Sequence, residues 1–303
     1  MPSPRLVCLG NLTIDDLVLP EGPPILGCIG GDALYGVLAA RLWEPSSEMV
    51  APVGSDFPPE ILARIEASGL SLSGLRPCAS NTLHNRIDYQ RDGSRNWTLF
   101  STEDDFHRLS PQPDDIPADF RNAEAFLVLA MTLAAQEILV RHLRATTNAI
   151  IALDPQEDYI VGNEAALRRL IAQADIFMPS AEEARRLLGH EDWTTAARTF
   201  AAWGPGVVVV KLGSQGCLVY DKVRDREWRV AAVPTAVKDP TGAGDCFCGA
   251  FLASFLHDRD DLGAAARAGA AAASLAVEGY GAEPMFSVTS TDVRARSMGT
   301  PAE

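Results

Sequence analysis

The residues best suited to do chemistry lie in one stretch, 239–251, which contains Thr-Gly-Ala-Gly-Asp at 241–245. Two glycines beside an alanine let the backbone turn tightly and approach a ligand, because no bulky Cβ stands in the way. The apolar run at 246–256 predicts a helix, and the start of a helix is a ready anion site. Asp245 stands where the anion would bind. Its carboxylate could cap the helix, or it could take a proton from a hydroxyl that attacks a phosphoryl group.

This run resembles the C-terminal signature of the ribokinase-like (PfkB) carbohydrate kinase family, and it lies late in a chain of suitable length. The resemblance implies that Asp245 is the catalytic base. It implies that Gly242, Ala243 and Gly244 form the anion hole for the transferred phosphoryl group. ATP and Mg²⁺ are the cofactors that follow from it.

Four residues near the N-terminus resemble the part of the family that holds the sugar. Asp15 follows the first predicted strand, and the resemblance implies that it accepts hydrogen bonds from sugar hydroxyls. A solvated strand residue is the alternative. Gly30 and Gly31 begin a predicted helix that lines the sugar pocket in the family. The family usually has Asn after these glycines, whereas this chain has Asp32, which only accepts hydrogen bonds when ionised and which could also be a helix N-cap.

A second glycine-containing turn follows an apolar segment at 207–210 and runs from Lys211 to Gly216. In the family a similar turn contacts the phosphates and ribose of the nucleotide. The resemblance therefore implies nucleotide contacts from Gly213, Ser214 and Gly216, with Lys211 neutralising phosphate charge. A hairpin turn without a ligand is the alternative interpretation.

Two acidic residues are the metal candidates. Ser180 and Glu183 resemble the family's Asn-x-x-Glu motif with Ser in place of Asn, which implies that Glu183 organises Mg²⁺ through water. A helix capping box is the alternative. In many members, the positions of Asp239 and Thr241 help to hold a monovalent cation such as K⁺, and Thr241 also lies beside the nucleotide site. The turn at 279–282 would complete that cation site.

The order of predicted elements is typical of an α/β fold. Short apolar strands alternate with helices in the second half, which predicts a mainly parallel sheet covered on both faces. A hairpin signal at 91–94 and alternation near 12–29 and 82–101 predict antiparallel strands. The resemblance implies one ribokinase-like domain over 1–303, with a three-layer α/β/α core and a small β-sheet lid from excursions at about 12–29 and 78–106. Predicted strands include 125–129, 149–153, 176–178, 207–211 and 229–237, and predicted helices include 134–145, 163–173, 181–188 and 193–202.

Composition excludes several classes of protein. The chain has 303 residues, 47% hydrophobic and 22% charged, which is ordinary for a globular protein. A net charge of −14 argues against a nucleic-acid groove or an anionic membrane surface. No apolar run approaches the roughly 20 residues that span a bilayer, and no signal peptide is visible, so a cytoplasmic location is expected. The six scattered cysteines are interpreted as buried reduced thiols.

The functional prediction is an ATP-dependent kinase for a small sugar or sugar acid. A nucleoside kinase on the same fold, or a non-catalytic sugar- or nucleotide-binding regulator, is the alternative. A P-loop NTPase is excluded because its motif is absent. The family also implies that lids pair in many dimers, so a homodimer through the lid is one expected assembly.

The identity of the acceptor stays open at this stage. A phosphorylated acceptor would need basic residues, and the lid region offers Arg86, Arg91 and Arg95. Two acidic residues near the acceptor, Asp15 and Asp32, instead favour a neutral polyol.

Overall fold

The computed structural model describes residues 3–91 and 95–299, and within them the chain forms twelve strands and eleven α-helices. The strands are β1 (Leu6–Leu9), β2 (Thr13–Val18), β3 (Ile25–Gly30), β4 (Glu48–Val50), β5 (Leu83–Tyr89), β6 (Arg95–Leu99), β7 (Ala125–Val128), β8 (Ile150–Leu153), β9 (Ile176–Phe177), β10 (Val207–Lys211), β11 (Cys217–Asp221) and β12 (Arg226–Val230). The helices are α1 (Asp32–Arg41), α2 (Pro59–Ala67), α3 (Glu103–Arg108), α4 (Leu133–Thr146), α5 (Glu164–Ile171), α6 (Ala181–Leu188), α7 (Trp193–Trp203), α8 (Ala243–His257), α9 (Leu262–Ala276), α10 (Glu283–Ser287) and α11 (Ser290–Met298).

Eight of the strands form a large sheet in the order β12-β11-β10-β9-β8-β7-β1-β4. In this sheet β4, β1, β7, β8, β9 and β10 are parallel to one another. Strands β11 and β12 continue the sheet as antiparallel neighbours. Side chains alternate between the two faces. In β1, Leu6 and Cys8 pack into the apolar layer that contains α1, α8 and α9, while Val7 and Leu9 pack into the layer that contains α4, α5 and α7. The expected α/β architecture with helices on both faces is therefore confirmed.

The other four strands form a separate small sheet in the order β3-β2-β5-β6. Strands β2 and β5 are parallel, whereas β2–β3 and β5–β6 are antiparallel pairs. These strands lie in the two regions expected to form the small sheet. The hairpin predicted at 91–94 joins β5 and β6, but its residues 92–94 lie outside the described part of the chain.

The prediction of a strand at 229–237 is wrong for most of that range. Strand β12 begins at Arg226 and ends at Val230, and residues 231–237 have no regular structure. Pro234 cannot donate a ladder hydrogen bond, which disfavours a longer strand. The segment instead carries the chain from the sheet edge to the glycine-rich turn. Among the described residues, no helix combines the length and hydropathy needed to cross a bilayer.

Helices α1 and α8 cross in close contact because α8 has a glycine, Gly249, at the crossing. A Cβ placed on Gly249 would lie 2.0 Å from the carbonyl oxygen of Gly36. The two backbones can therefore approach only if position 249 has no side chain. This contact sets the relative position of the two helices whose N-termini carry Asp32 and Asp245.

We expect Gly249→Ala to destabilise the protein by about 1–3 kcal/mol, because the helices must move apart to accept the methyl group. Thermal unfolding followed by circular dichroism would show this as a lower Tm. Gly206→Ala is the matched control, since a Cβ there would have its nearest neighbour 3.8 Å away. An unchanged Tm for Gly249→Ala would contradict the close-contact interpretation.

Candidate active site

A cavity of about 390 Å³ lies between the small sheet and the carboxyl ends of the parallel strands. Ligands of open α/β sheets commonly bind at this edge. Several residues expected to act together line it, namely Asp15, Gly31, Asp32, Glu183, Thr241, Gly242 and Asp245. Other expected site residues lie outside its lining, namely Gly30, Ala243, Gly244, Lys211, Gly213, Ser214, Gly216 and Asp239.

The glycine-rich turn has a conformation that requires glycine. Gly242 precedes α8 with φ 76°, in the left-handed region. A Cβ on Gly242 would also lie 2.4 Å from ring atoms of Tyr35 in α1. The first bond of the α8 ladder runs from the Cys246 N–H to the Gly242 carbonyl. The N–H groups of 243–245 therefore lie before the ladder begins, at the positive end of the helix dipole.

Asp245 lies in the first turn of α8 and Asp32 in the first turn of α1, and both face the cavity. Burial and the negative charge of Asp245 raise the pKa of Asp32 well above its usual value. A raised pKa favours the protonated form of this carboxyl group, which cannot accept another proton. Of the two, Asp245 is the better candidate for a general base.

The helix-cap interpretation of Asp32 needs a one-residue correction. The N-cap of α1 is Gly31, with φ 105°, and Asp32 is the first helical residue. One Asp32 carboxylate oxygen accepts hydrogen bonds from the N–H groups of Asn11 (2.5 Å) and Ala33 (2.6 Å). A Cβ on Gly31 would lie 2.3 Å from the Asn11 carbonyl oxygen, so the chain can join these segments only through glycine.

Asp15 is buried on β2 and is held by two donors. Its oxygens accept from the Asn85 side-chain amide at 2.8 Å and from the Thr13 hydroxyl at 3.1 Å. A Cβ on Gly30 would lie 2.3 Å from Asp15 Oδ2, which explains why a glycine follows on the neighbouring strand. Burial raises the pKa of Asp15 to about 6, although both hydrogen bonds oppose the shift. The alternative of a solvated strand residue is therefore wrong.

Three other buried polar side chains line the cavity and were not predicted. Asn11 Oδ1, Asn85 Oδ1 and the Tyr35 hydroxyl have no hydrogen-bond partner within the described structure. The amide nitrogens of the two asparagines donate to the Leu109 carbonyl and to Asp15, which fixes the orientation of each amide. Buried polar groups normally have partners, so unpaired atoms in this wall are typical of a site that a ligand completes.

One wall of the cavity is apolar and aromatic, and Gln156, Glu157 and Asp158 form another part of the lining. Leu83 and Ile87 from β5, Trp97 and Leu99 from β6, and Phe106 from α3 supply the apolar wall. No lysine, arginine or histidine belongs to the described lining. The cavity thus combines hydrogen-bond acceptors on one side with flat apolar surfaces on the other.

Lys211 lies at the end of β10 and is paired with a residue that was not predicted. Its Nζ lies 2.7 and 2.6 Å from the two carboxylate oxygens of buried Asp154. Burial is the largest single cause and lowers the pKa of Lys211, but the combined effects of Asp154, Cys248 and Glu183 outweigh it and raise the pKa. Nζ is also 3.4 Å from the position that a Cβ on Gly244 would take. A positive charge therefore lies close to the start of α8, already paired with Asp154.

Glu183 is a capping-box residue and also lines the cavity, so the structure has a feature of each interpretation that the sequence left open. It forms the capping box of α6, with the Ser180 N–H donating to its carboxylate at 2.6 Å and its own N–H donating to the Ser180 hydroxyl at 3.2 Å. It also lines the cavity. Burial, and then the charge of Asp154, raise the pKa of Glu183 to about 8.

The turn after β10 is a hairpin turn, and its nucleotide contacts stay a prediction. It joins the antiparallel strands β10 and β11, and the Leu212 N–H donates to the Gly216 carbonyl at 2.7 Å. A Cβ on Gly216 would lie 1.9 Å from the Val230 carbonyl oxygen, so packing against β12 requires this glycine. Gly213 and Ser214 belong to a short 3₁₀ turn away from the cavity lining.

Asp239 is buried and accepts hydrogen bonds from residues of three segments. The N–H groups of Thr241 and Gly281 donate to it at 2.9 Å each, and the Tyr89 hydroxyl of β5 donates to Oδ1. A role for Asp239 with a monovalent cation stays a prediction. No step in the proposed reaction depends on that ion.

The residues in and near the cavity that were not predicted had only weak signals in the sequence. Asp154 and Asn11 each come just after an apolar strand, a position that often faces a ligand in α/β folds. Tyr35 and Asn85 had no such signal, because each lies within an ordinary helical or strand pattern.

Comparisons with known proteins agree with this geometry. A family model for pfkB family carbohydrate kinases matches residues 29–288. A cytidine kinase from Thermococcus kodakarensis is 31% identical over 257 residues, which cover 84% of this chain and 89% of that protein. A putative ribokinase II from E. coli, solved in complex with ATP and Mg²⁺, has a TM-score of 0.79 and 21% identity and covers 97% of this chain and 99% of its own. A nucleoside kinase from Burkholderia thailandensis, solved in complex with inosine, has a TM-score of 0.79 and 20% identity, with 96% of each chain covered. The family match spans most of the chain, which therefore belongs to the pfkB family of carbohydrate kinases and is a phosphotransferase with an alcohol group as acceptor.

Proposed function

We propose that this protein transfers the γ-phosphoryl group of ATP to a hydroxyl of a neutral nucleoside, with Asp245 as the general base. The observation that best supports this proposal is the cavity, in which Asp245 and buried hydrogen-bond acceptors face an apolar, aromatic wall. A ribose would meet the acceptors, and a flat base would meet Trp97 and Phe106. Similarity to a cytidine kinase over most of both chains supports this choice. A free sugar is the second candidate, because Asp15 and its neighbours alone could bind its hydroxyls.

The charge of the cavity supports a neutral acceptor over a phosphorylated one. Its described lining contains Asp15, Asp32, Glu183 and Asp245 but no basic side chain. A second phosphate on the acceptor would therefore meet acidic side chains and no compensating positive charge. The suggestion that arginines from the small sheet recognise a phosphorylated acceptor gains no support from this lining.

In the proposed reaction, Asp245 takes the proton of the attacking hydroxyl while the phosphoryl group lies against the N–H groups of 242–245. These groups and the helix dipole stabilise the charge that develops during transfer. Asp15 and Asn85 orient the acceptor from the opposite side. Lys211, Gly213, Ser214, Gly216 and Thr241 stay proposed contacts to the nucleotide.

Mg²⁺ suits the chemistry of these side chains. The cavity is rich in carboxylate oxygen, the ligand type that Mg²⁺ prefers, and burial disfavours the charged form of Glu183 unless a cation is near. Among the described residues, no three His, Cys, Asp or Glu side chains are arranged to hold a metal by themselves. Glu183 would therefore act through water, with the ATP phosphates supplying other ligands. When bound, the ion neutralises charge on the transferring phosphates.

Two further expectations from the family stay proposals. K⁺ would bind near Asp239 and the turn at 279–282. Two copies would pair through their small sheets, where Leu26 and Phe100 are exposed apolar residues.

The proposed function is tested with Mg-ATP and a panel of cytidine, uridine, adenosine, inosine, ribose and fructose. We expect nucleoside monophosphate formation to exceed sugar phosphorylation in kcat/KM. In Asp245→Asn we expect kcat to fall by about 10²–10⁴-fold with ATP binding retained, because the general base is lost.

Asp158→Asn serves as the matched control, since Asp158 is another cavity carboxylate with no assigned role in proton transfer. Full activity of Asp245→Asn would refute the assigned base. A panel in which only the free sugars react would refute the nucleoside assignment.

Acceptor binding should depend on pH through Asp15. Its pKa is raised to about 6, so the carboxylate is charged above that pH and becomes protonated as the pH falls through it. The charged form accepts hydrogen bonds from hydroxyls more strongly. We expect the Kd for cytidine, measured by calorimetry without nucleotide, to rise about 10-fold from pH 8 to pH 5. Asp15→Asn should bind more weakly and without this pH dependence, and a constant Kd in the wild type would count against the role of Asp15.

A further inference from the structure

We propose that Tyr89 is a positioning residue that couples binding of the acceptor to the geometry of the phosphoryl-binding turn. The coupling runs from β5 through the Tyr89 hydroxyl to Asp239 and Thr241. This inference rests on the proposed function, because it concerns how the two substrates of that reaction influence each other.

The Tyr89 hydroxyl contacts both Asp239 and Thr241. The Tyr89 hydroxyl has one proton, which it donates to Asp239 Oδ1. Its oxygen lies 2.8 Å from Thr241 Oγ1, so the Thr241 hydroxyl is the donor in that second bond. Tyr89 thus contacts the turn that leads directly into Gly242 and α8.

Asp239 also links the turn to the segment that contains Gly281. It accepts from the N–H groups of Thr241 and Gly281 at 2.9 Å each. The residue after Gly281 donates its N–H to the Ile29 carbonyl of β3 at 2.8 Å. Since Asp239 is only 1% exposed, water cannot readily replace a lost partner. Loss of the Tyr89 hydroxyl therefore changes the hydrogen bonding of the turn, and solvent does not compensate for it.

The register of β5 relates Tyr89 to the cavity. Side chains two residues apart point to the same face of a strand, so Leu83, Asn85, Ile87 and Tyr89 share one face. The first three line the cavity, and Tyr89 is the next position along that face. An acceptor that packs against Asn85 and Ile87 therefore holds the strand that presents the Tyr89 hydroxyl to Asp239.

Together these contacts give the two substrates a shared structural element. Binding of the acceptor stabilises β5 in the position that keeps Asp239 and Thr241 in place, which in turn favours the turn conformation that binds phosphate. Coupling of this kind is reciprocal, so nucleotide must also strengthen acceptor binding. It would also limit transfer to water when the acceptor is absent.

The test compares wild type with Tyr89→Phe, which removes the hydroxyl and keeps the ring. The affinity for the Mg²⁺ complex of a non-hydrolysable ATP analogue is measured by calorimetry with and without saturating cytidine. In the wild type we expect cytidine to tighten analogue binding by about 10-fold. In Tyr89→Phe we expect that factor to fall to about 1–2, with the affinity for cytidine alone changed less than about 2-fold.

Kinetics provides a second readout that a merely structural role would not change. Tyr89→Phe should lower kcat while leaving the KM for cytidine near its original value, and it should raise the ADP released per phosphorylated product. Tyr220→Phe is the matched control, because the Tyr220 hydroxyl donates to Asp225 in the turn between β11 and β12. That variant should retain the wild-type coupling factor.

The two proposals fail in different ways. Wild-type protein that binds neither cytidine nor the analogue contradicts the proposed function and this inference with it. Wild-type binding with an equal coupling factor in Tyr89→Phe overturns the inference alone. A lower Tm in Tyr89→Phe with unchanged coupling would show a structural role only and would also overturn it.

Discussion

The concentration of carboxylates in one partly buried cavity is the constraint on which the rest of this structure depends. Burial is the largest cause of the raised pKa values of Asp15, Asp32 and Glu183. The N-termini of α1 and α8 offset some of this charge, because both helices begin at the cavity. Such a site gains most from ligands that bring hydrogen-bond donors or cations, as a polyhydroxyl acceptor and a metal–nucleotide complex would.

The fold meets this constraint by bringing distant segments to the seam between the two sheets. Gly249 lets α8 approach α1, and the two helices bring Asp32 and Asp245 close enough for the charge of Asp245 to raise the pKa of Asp32. The small sheet closes the other side, and it is bonded to Asp239 through the hydroxyl of Tyr89, 150 positions earlier in the chain. The acceptor side and the phosphoryl side of the cavity are thus parts of one hydrogen-bonded structure.

The alternation of strands and helices could be predicted from the sequence, because short buried apolar runs have few other uses; α6 matches its predicted bounds of 181–188. The Thr-Gly-Ala-Gly-Asp motif predicted a glycine-rich turn before a helix, and the structure has Gly242 and Asp245 at the start of α8, in the cavity lining. The partnership of Lys211 with Asp154 could not be predicted, since 57 positions separate them and only the strand order makes them neighbours. The requirement for glycine at 216 arises from packing against β12, which its motif could not reveal.

The central claim is that Asp245 accepts the proton at the start of α8. A crystal structure of the complex with Mg²⁺, a non-hydrolysable ATP analogue and cytidine tests it most directly. We expect one ribose hydroxyl within hydrogen-bond distance of the Asp245 carboxylate and in line with a γ-phosphate held by the N–H groups of 242–245. A hydroxyl bound instead to Asp32, or a γ-phosphate located away from the start of α8, would contradict the claim.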